Sequence, residues 1–249
     1  MIRIISLVTI VISMLSCTSV TKSLSVSEIL PRKGYVYIKK VVKLRRCTET
    51  SCQAGSIASA GSGFILKVTY KGSFIMTAAH VCATNTAELL PGVEAVDHLK
   101  VQTLEGRYYN AKVLQFDREI DACLMFAEDL VDHVEEVGLA NHAPVEIYNI
   151  ASPYGIHHPY VVPIFEGRYI GERGFNGFYT FEAGPGSSGS MILNEEGKLI
   201  GLLHSVYRDM HSIVVSVRYD SLMQFIRKGL IQHLTSHTNL SHNGCYQIM

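Results

Sequence analysis

The feature that most constrains this chain is a long series of short runs rich in β-branched and aromatic residues. Gly, Asn, Asp and Pro separate the runs at intervals of about 8–12 residues, which is typical of all-β barrels and sandwiches. The predicted strands cover residues 35–38, 41–44, 63–68, 73–77, 99–104, 108–116, 120–126, 145–150, 160–165, 178–181, 191–193, 199–207 and 213–217. Residues 70–72 are predicted to form a hairpin turn.

One helix is predicted near the C-terminus, over residues 220–231. Its apolar residues follow helical spacing, and Asp220 or Ser221 is available as the N-cap. The polar tail, residues 235–249, is expected to be loose. Potential zinc ligands in this region have an irregular spacing that favours solvated side chains, so no metal site is expected. They are His233, His237, His242 and Cys245.

The composition is that of a globular protein with a sizeable core, since 47% of the 249 residues are hydrophobic and 18% are charged. One large domain or two small lobes fit this length. Lys and Arg together number 22, as do Asp and Glu. Because nucleic-acid-binding proteins usually carry a clustered basic excess, this balance argues against a nucleic-acid partner.

Residues 1–17 are predicted to form an export signal. Arg3 precedes the apolar run 4–15, which is shorter than the roughly 20 residues that a transmembrane helix needs. The run ends in Met-Leu-Ser-Cys, which resembles a bacterial lipobox, so a lipid on Cys17 would anchor the protein to a membrane. An ordinary cleaved signal is the alternative, and both place the mature chain outside the cytoplasm. Residues 18–33 are predicted to be a linker.

Three short motifs carry potential chemistry, and each lies where an apolar run begins or ends. Residues 184–191 form a small-residue turn with Ser188 at its apex, Thr-Ala-Ala-His ends at His80, and Asp-Ala-Cys-Leu begins at Asp121. A serine hydroxyl is a weak nucleophile at neutral pH and needs a neighbouring base, which in turn needs an orienting group. The three residues supply a nucleophile, a base and a carboxylate, and they indicate nucleophilic acyl transfer.

The order of these residues along the chain excludes two known arrangements. No Asp precedes His80, so the order Asp–His–Ser of subtilisin-type enzymes is not available. The order Ser–Asp–His of α/β-hydrolases would leave too little chain after Ser188, and residues 186–190 lack the final Gly of that nucleophile elbow. The order His–Asp–Ser remains.

Each of these residues also has a purely structural interpretation. Ser188 could be a turn serine, His80 could cap a helix that starts at Val81, and Asp121 could be a solvated loop carboxylate. Asp117 competes with Asp121 as the carboxylate. We prefer Asp121 because it opens the apolar run 122–126.

Taken together, the motifs resemble those of the chymotrypsin-like (trypsin-like) serine proteases, in the form found in bacterial and viral, HtrA-like members. Five segments carry the resemblance. Residues 61–64 resemble the strand before the histidine, residues 77–80 the histidine motif and residues 121–124 the aspartate strand. Residues 150–155 resemble the Gly-x-Pro-x-Gly loop of HtrA-like relatives, and residues 186–190 resemble the serine motif. Cys123 stands where Ala is common. The resemblance spans about residues 34–231, and no PDZ domain is expected to follow.

The resemblance implies two six-stranded antiparallel β-barrels with a C-terminal helix, in a protease domain of residues 34–234. The first barrel would cover about residues 34–135 and the second about residues 143–234. The site would lie at their junction, with the histidine and aspartate on the first barrel and the serine on the second.

The resemblance also implies the role of each site residue. Ser188 would attack the substrate carbonyl, His80 would accept its proton and later return it, and Asp121 would orient the imidazole. The backbone N–H groups of Gly186 and Ser188 would form the oxyanion hole. No cofactor is expected, and the substrate would be a protein or peptide.

The cysteines leave several pairings open, since export permits disulfides. Cys47 and Cys52 could close a short loop, but sequence alone does not fix the connectivity. Cys82 and Cys123 each lie two residues after a proposed catalytic residue and could therefore lie close together. The preferred interpretation of these two is a pair of small buried apolar side chains.

Two residues predict opposite substrate preferences. Glu182 occupies the position that forms the floor of the specificity pocket in trypsin-like members, where an acid would favour Arg or Lys before the scissile bond. His204 is similar to the pocket histidine of glutamyl endopeptidases, although it lies one residue later than their Gly-x-His pattern and would need a bulge.

The sequence thus predicts an exported serine endopeptidase that is active without a zymogen cleavage step. The alternative is a catalytically silent chymotrypsin-fold module that binds a protein partner. The sequence does not predict the oligomeric state.

Overall fold

A computed structural model of the chain describes residues 26–85, 89, 91–140, 146–207 and 210–238. Within them, twelve strands form two closed six-stranded antiparallel barrels, followed by a C-terminal helix. The predicted fold class is therefore confirmed. The export signal with Cys17, residues 18–25 of the linker, His242 and Cys245 lie outside the described residues.

The first barrel contains two strands that are buried along almost their whole length. Its strands are β1 (Tyr35–Cys47), β2 (Cys52–Thr69), β3 (Gly72–Thr77), β4 (Val93–Thr103), β5 (Tyr108–Asp117) and β6 (Ala122–Glu128), paired in the order β1-β2-β3-β6-β5-β4. β3 is buried at every residue, and β6 at every residue except its last. Residues that directly follow β3 or precede β6 are therefore held by a rigid core.

The second barrel has its own smaller core. Its strands are β7 (Glu146–Ile150), β8 (Ile164–Arg173), β9 (Asn176–Thr180), β10 (Met191–Asn194), β11 (Leu199–Tyr207) and β12 (Met210–Val217), paired in the order β10-β11-β12-β9-β8-β7. Buried apolar side chains on these strands fill it, including Ile147, Tyr179, Ile192, Ile200 and Val214. The helices are α1 (Val26–Ile29), α2 (Ala79–Cys82) and α3 (Tyr219–Thr238), with short 3-10 turns at Arg32–Gly34 and Pro153–Gly155.

The hairpin of β1 and β2 extends beyond the first barrel. The two strands stay in register from Lys39 opposite Ala60 to Cys47 opposite Cys52, where a disulfide joins the two cysteines. β4 follows β1 as far as Arg46. The extension is thus a three-stranded sheet with β1 at its centre and β2 at one edge.

The two ends of the described chain cross between the barrels. The segment before β1 lies against the second barrel, where Ile29 O would be 2.8 Å from a Cβ built on Gly197. In return, α3 follows the second barrel but packs on the first, where a Cβ built on Gly229 would be 2.7 Å from Leu124 Cδ2. Each barrel is therefore held by a segment that adjoins the other barrel in sequence.

Several boundaries differ from the predicted ones. β1 is one strand where two were predicted, and β2 begins at Cys52 rather than at residue 63. β8 covers Ile164–Arg173 rather than 160–165, because Pro163 has no N–H to donate to a ladder. α3 continues to Thr238, into the predicted tail. The predicted hairpin turn before β3 is confirmed, and no described helix is long and apolar enough to span a membrane.

Candidate active site

The two buried strands β3 and β6 bring His80 and Asp121 together. β3 leads into α2, which carries His80, and Asp121 immediately precedes β6. His80 Nδ1 lies 2.7 Å from Asp121 Oδ2, and the His80 backbone N–H donates to Asp121 Oδ1 at 3.0 Å. The carboxylate thus orients the ring from the Nδ1 side, which leaves Nε2 as the nitrogen that can accept a proton.

Asp121 is held as a carboxylate on a constrained backbone. Burial opposes its ionisation, but the hydrogen bonds and charge of His80, with a contribution from His204, lower the pKa of the Asp121 carboxyl. Its φ of 53° lies in the left-handed region that non-glycine residues seldom adopt, and its carbonyl accepts the Ala79 N–H at 3.2 Å. An ionised group held in this way is suited to fix a histidine tautomer.

Asp117, the competitor of Asp121, has a different task. Its Oδ1 accepts the N–H groups of Glu119 at 2.8 Å and Ile120 at 3.3 Å. Asp117 therefore shapes the turn between β5 and β6, and the carboxylate that reaches His80 is that of Asp121.

A disulfide between Cys82 and Cys123 lies directly behind the pair. The preferred prediction, two buried apolar side chains without a bond, is therefore wrong. Each cysteine lies two residues after a site residue, so the contact between His80 and Asp121 also brings the two sulfur atoms together. The disulfide joins α2 to β6 and makes the segments that carry His80 and Asp121 parts of one covalent unit.

Backbone hydrogen bonds close the turn that carries Ser188. They join Ser187 N–H to Gly184 O at 2.9 Å, Ser190 N–H to Ser187 O at 3.1 Å and Gly189 N–H to Leu203 O at 2.7 Å. Among the described residues, the N–H groups of Gly186 and Ser188 have no acceptor. The turn therefore keeps two backbone donors free on either side of Ser187.

The orientation of one of these donors follows from its neighbour. Pro185 O accepts the Tyr154 N–H at 2.5 Å. Because the C=O and N–H of a trans peptide point in opposite directions, the Gly186 N–H points away from Tyr154. Gly186 has φ of 97°, which favours glycine, and a Cβ there would lie 2.5 Å from Ser152 O. Two free donors of this kind can stabilise a negatively charged oxygen.

Ser188 meets the first barrel next to His80. The Ser62 N–H donates to Ser188 O at 2.9 Å. A Cβ built on Gly61 would lie 3.1 Å from Ser188 O and 2.7 Å from Val81, the residue after His80. Within the described residues, however, no hydrogen bond joins Ser188 Oγ to His80. The three predicted residues therefore share one junction, and the serine is the member not yet bonded to the histidine.

Ser62 on β2 connects the turn that carries Ser188 to both barrels. Besides its bond to Ser188, its Oγ donates to Gly186 O at 2.8 Å and accepts the Ser152 N–H at 3.1 Å. Its carbonyl accepts Thr77 Oγ1 at 2.7 Å, and the residue is fully buried. Ser62 lies in the motif at residues 61–64, but this role is not evident from the sequence because its partners come from distant parts of the chain.

Two further positioning residues carried no sequence signal. Lys40 is 6% exposed, and its Nζ donates to His80 O at 2.9 Å. Asn149 is fully buried, and its Nδ2 donates to Ser190 Oγ and Met191 O, both at 2.8 Å. What distinguishes this lysine and this asparagine is that both are buried next to the site. Burial is not visible in the sequence alone.

The two candidate specificity residues lie in different surroundings. Glu182 is exposed. His204 is partly buried at a bulge of β11, and its Nε2 lies 3.2 Å from Asn176 Oδ1. Burial lowers the pKa of His204, and the charge of Asp121 opposes this shift. His204 is therefore electrostatically linked to the His80–Asp121 pair.

The described part of the chain offers no evident metal site. Within it, no group of three or more His, Cys, Asp or Glu side chains is placed to hold a metal ion.

Comparison with known proteins gives a family match. Residues 61–202 match the family model for the trypsin-like peptidase domain, and this segment contains His80, Asp121 and Ser188. A protein from Hahella chejuensis described as a probable periplasmic serine endoprotease, DegP-like, is 25% identical over 157 residues. The matched region is 60% of this chain and 30% of that protein, so the chain spans less than a third of the relative's length.

A solved structure shares the fold. The HtrA-type protease AlgW, solved with a decapeptide, has a TM-score of 0.64 at 17% sequence identity. The match covers 84% of this chain and 68% of that one. At this identity the likeness concerns the two-barrel fold.

Proposed function

Because the chain belongs to the trypsin-like peptidase family, we propose that it is a serine endopeptidase with Ser188, His80 and Asp121 as its catalytic triad. One observation carries the proposal. Within the part of the chain that the structure describes, the N–H groups of Gly186 and Ser188 have no acceptor, and they lie at the same junction as a histidine oriented by a carboxylate. A donor pair beside an oriented base is what acyl transfer to a serine requires.

The proposed reaction follows from this geometry. Ser188 Oγ attacks the substrate carbonyl carbon while His80 Nε2 takes the hydroxyl proton, and Asp121 stabilises the imidazolium. The N–H groups of Gly186 and Ser188 stabilise the negatively charged oxygen. His80 then protonates the leaving amine, and water hydrolyses the acyl-enzyme by the same route. The bond between Ser188 and His80 forms when substrate binds, as catalytic hydrogen bonds often tighten only in the complex.

Labelling with a fluorophosphonate serine-hydrolase probe tests the triad. We expect the purified wild-type protein to label at Ser188, and both Ser188→Ala and His80→Ala to abolish labelling. Ser187→Ala is the matched control, since this neighbouring hydroxyl is buried and accepts the Gly184 N–H at 3.3 Å. A folded wild-type protein that neither labels nor cleaves peptides would contradict the proposal and favour the silent binding module.

Asp121→Asn tests the role of the carboxylate. The substitution keeps the size of the side chain but favours the wrong imidazole tautomer, which in such triads costs about 10⁴ in kcat. We expect a loss of that order with the protein still folded. A loss within about tenfold would remove Asp121 from the triad.

We also propose that the preference at the cleaved bond depends on Glu182 or His204. Glu182 would favour Arg or Lys before the scissile bond, whereas His204 would favour an acidic residue. Peptide-library cleavage by wild type, Glu182→Gln and His204→Ala separates the two. The variant that changes the preferred residue identifies the determinant, and a library profile that neither variant changes would exclude both.

Export of the mature chain is the last part of the proposal. Support comes from the apolar run 4–15, the disulfides and the likeness to a protein described as periplasmic. We propose a protease domain of residues 34–234 and a lipid on Cys17. The mass of the mature N-terminal peptide tests lipidation, because an unmodified peptide that begins after Cys17 would indicate an ordinary cleaved signal.

A further inference from the structure

The outer half of β2 is an unpaired sheet edge. Residues 52–60 are all exposed and pair with β1 on one side, whereas pairing with β3 begins only at Phe64. Within the described residues, no strand covers the other side of this segment. It contains no charged residue and no proline, which are two common means by which edge strands avoid pairing with another chain.

The direction of the free backbone groups follows from Ser62. Its N–H and C=O both bond away from β1, to Ser188 O and Thr77 Oγ1. This direction alternates along a strand, and the β1–β2 register is unbroken from the site to the hairpin tip. The same groups therefore point away from β1 at Ala60, Ala58, Ser56 and Ala54. These residues span about 20 Å at the usual rise of a strand.

The free edge is continuous with the proposed catalytic site. It begins at Ala60, two residues from Ser62, whose N–H donates a hydrogen bond to Ser188 O in the turn that carries Ser188. The leaving amine would take its proton from His80, on the first barrel. The part of a substrate that follows the scissile bond therefore leaves over the first barrel, where this edge begins.

The four outward-directed residues also present a smooth face. Their side chains are Ala or Ser, and they lie on one side of the sheet because side chains alternate along a strand. Ser56 and Ala54 lie opposite Lys43 and Arg45 of β1, on the same side. A surface hollow of about 610 Å³ lies there, and both basic side chains line it.

The basic side chains can reach across this low face. Arg45 Nη2 already extends over β2 to Cys52 Sγ, at 3.6 Å. Lys39 and Lys43 are exposed on the same side, and Glu94 of β4 is the acidic residue that lines the hollow. The positive charges outnumber the negative one, so a strand added at this edge would favour acidic side chains on that face.

We propose that this β2 edge binds the part of a substrate polypeptide that follows the scissile bond, as an added antiparallel strand with acidic side chains. The inference rests on the proposed function, because it assigns the direction of the substrate from the proposed triad. Main-chain hydrogen bonds would provide affinity in such strand addition, and the basic residues would provide selectivity.

Peptides with a common cleavage site and different C-terminal extensions test the proposal. We expect an acidic extension of about ten residues to raise kcat/KM at least about tenfold over one of about two residues, a difference of ~1.4 kcal/mol. Two further long peptides carry N-methyl groups on alternate residues, in opposite phases. Only one phase removes the N–H groups that face β2, so only that phase should lose the gain. Equal rates for short and long extensions would overturn the proposal.

Charge reversal at the basic residues tests whether they cause the gain in kcat/KM from a long acidic extension. In Lys43→Glu/Arg45→Glu, the ratio of kcat/KM for long and short acidic peptides should fall to about one. Lys71→Glu/Lys228→Glu is the matched control, because it changes the net charge equally on surfaces away from the edge. A similar fall in both variants would reduce the effect to overall charge and contradict a local site.

Two measurements distinguish failure of this inference from failure of the proposed function. A labelled long acidic peptide is titrated into Ser188→Ala and followed by fluorescence anisotropy. Binding there, together with a wild type that cleaves nothing, would keep the β2 site and reject the protease. Sedimentation over a range of protein concentrations supplies the other test. A dimer that Ala58→Pro abolishes and the peptide does not displace would make a second copy the occupant and overturn the proposal.

Discussion

The two barrels hold their parts of the candidate site in different ways, the first holding His80 and Asp121 and the second holding the turn that carries Ser188. In the first, a disulfide joins α2 to β6 directly behind His80 and Asp121. In the second, the turn around Ser188 depends on backbone hydrogen bonds and on Ser62, a residue of the first barrel. The arrangement of His80 and Asp121 thus depends on one barrel, whereas the shape of the turn that carries Ser188 depends on contacts between the two barrels.

This difference predicts where the site is vulnerable. Changes inside the first barrel should lower stability and leave the geometry of the pair in place. Changes at the junction should act on the free donors and the serine even when the protein stays folded. Four substitutions or pairs of substitutions test this contrast, in order of decreasing effect.

Gly189→Ala should break the contact between the turn and the first barrel. A Cβ at this position would lie 2.1 Å from Thr77 Oγ1 and 2.3 Å from Ser62 O, at a φ of 85°. We expect the free energy of unfolding to fall by about 4–6 kcal/mol and labelling of Ser188 to be lost. Gly174→Ala is the control, because its φ is also positive but a Cβ there meets nothing within 4 Å. Normal labelling of Gly189→Ala would show that the turn does not need close contact with Thr77 and Ser62 of the first barrel.

Removal of the disulfide behind the pair should affect stability far more than activity. Cys82→Ala/Cys123→Ala opens a cross-link between residues 41 positions apart, and we expect a loss of about 3–4 kcal/mol in urea unfolding. Labelling at low temperature should stay within about tenfold of wild type, since the His80–Asp121 bonds do not involve sulfur. The control is Cys47→Ala/Cys52→Ala, which opens a shorter loop and should cost about 2 kcal/mol. A large loss of labelling in the folded Cys82→Ala/Cys123→Ala variant would contradict the contrast.

Ser62→Ala should separate the junction from the rest of the core. The substitution removes a buried hydroxyl that bonds Gly186 O and the Ser152 N–H, and we expect about 1–2 kcal/mol of destabilisation. Ser73→Ala removes a buried hydroxyl that bonds Leu130 O within the first barrel, and its cost should be similar. Labelling of Ser188 should slow on the order of tenfold in Ser62→Ala alone. Equal labelling rates in the two variants would mean that Ser62 has only a structural role.

The smallest effect concerns pH at the junction. His157 of the second barrel stacks on Tyr37 of β1, with ring centroids 5.2 Å apart. Burial lowers the pKa of His157, and the charges of His158 and Lys39 act in the same direction. The unfolded chain therefore binds more protons than the folded one, so stability should be lost as pH falls below about 6.5.

His157→Phe keeps the stacked ring and removes the titrating group. Urea unfolding at about pH 7.5 and about pH 5.5 should show less acid destabilisation in this variant than in wild type. His98→Phe, the same substitution at an exposed histidine, is the control. A His157→Phe variant as acid-sensitive as wild type would remove His157 as the source.

The sequence was most informative where chemistry and burial coincide. His80, Asp121 and Ser188 stand at the ends of apolar runs, and apolar runs become the buried strands that fix their neighbours. The choice of Asp121 over Asp117 followed from the same argument, and Asp121 is the aspartate whose carboxylate contacts the His80 ring. The buried strands β3 and β6 were therefore predictable from their apolar runs.

Other features depend on contacts that a sequence pattern does not encode. The outer half of β2 reads Cys-Gln-Ala-Gly-Ser-Ile-Ala-Ser-Ala, which lacks apolar alternation because both of its faces are exposed. The partner of Cys82 is evident only once His80 and Asp121 are known to touch. Ser62 gains its role from a second barrel more than a hundred residues away in sequence.

The crossing of the two chain ends between the barrels affects whether the barrels stay associated when the chain between them is cut. If a protease cut the chain between the barrels, the N-terminal fragment would keep Ile29 against the second barrel, and the C-terminal fragment would keep α3 on the first. The two pieces would remain associated as a nicked complex. Produced separately, each half would lack packing that only the other supplies, so the smallest unit that can carry the site is the complete pair of barrels together with the segment before β1 and α3.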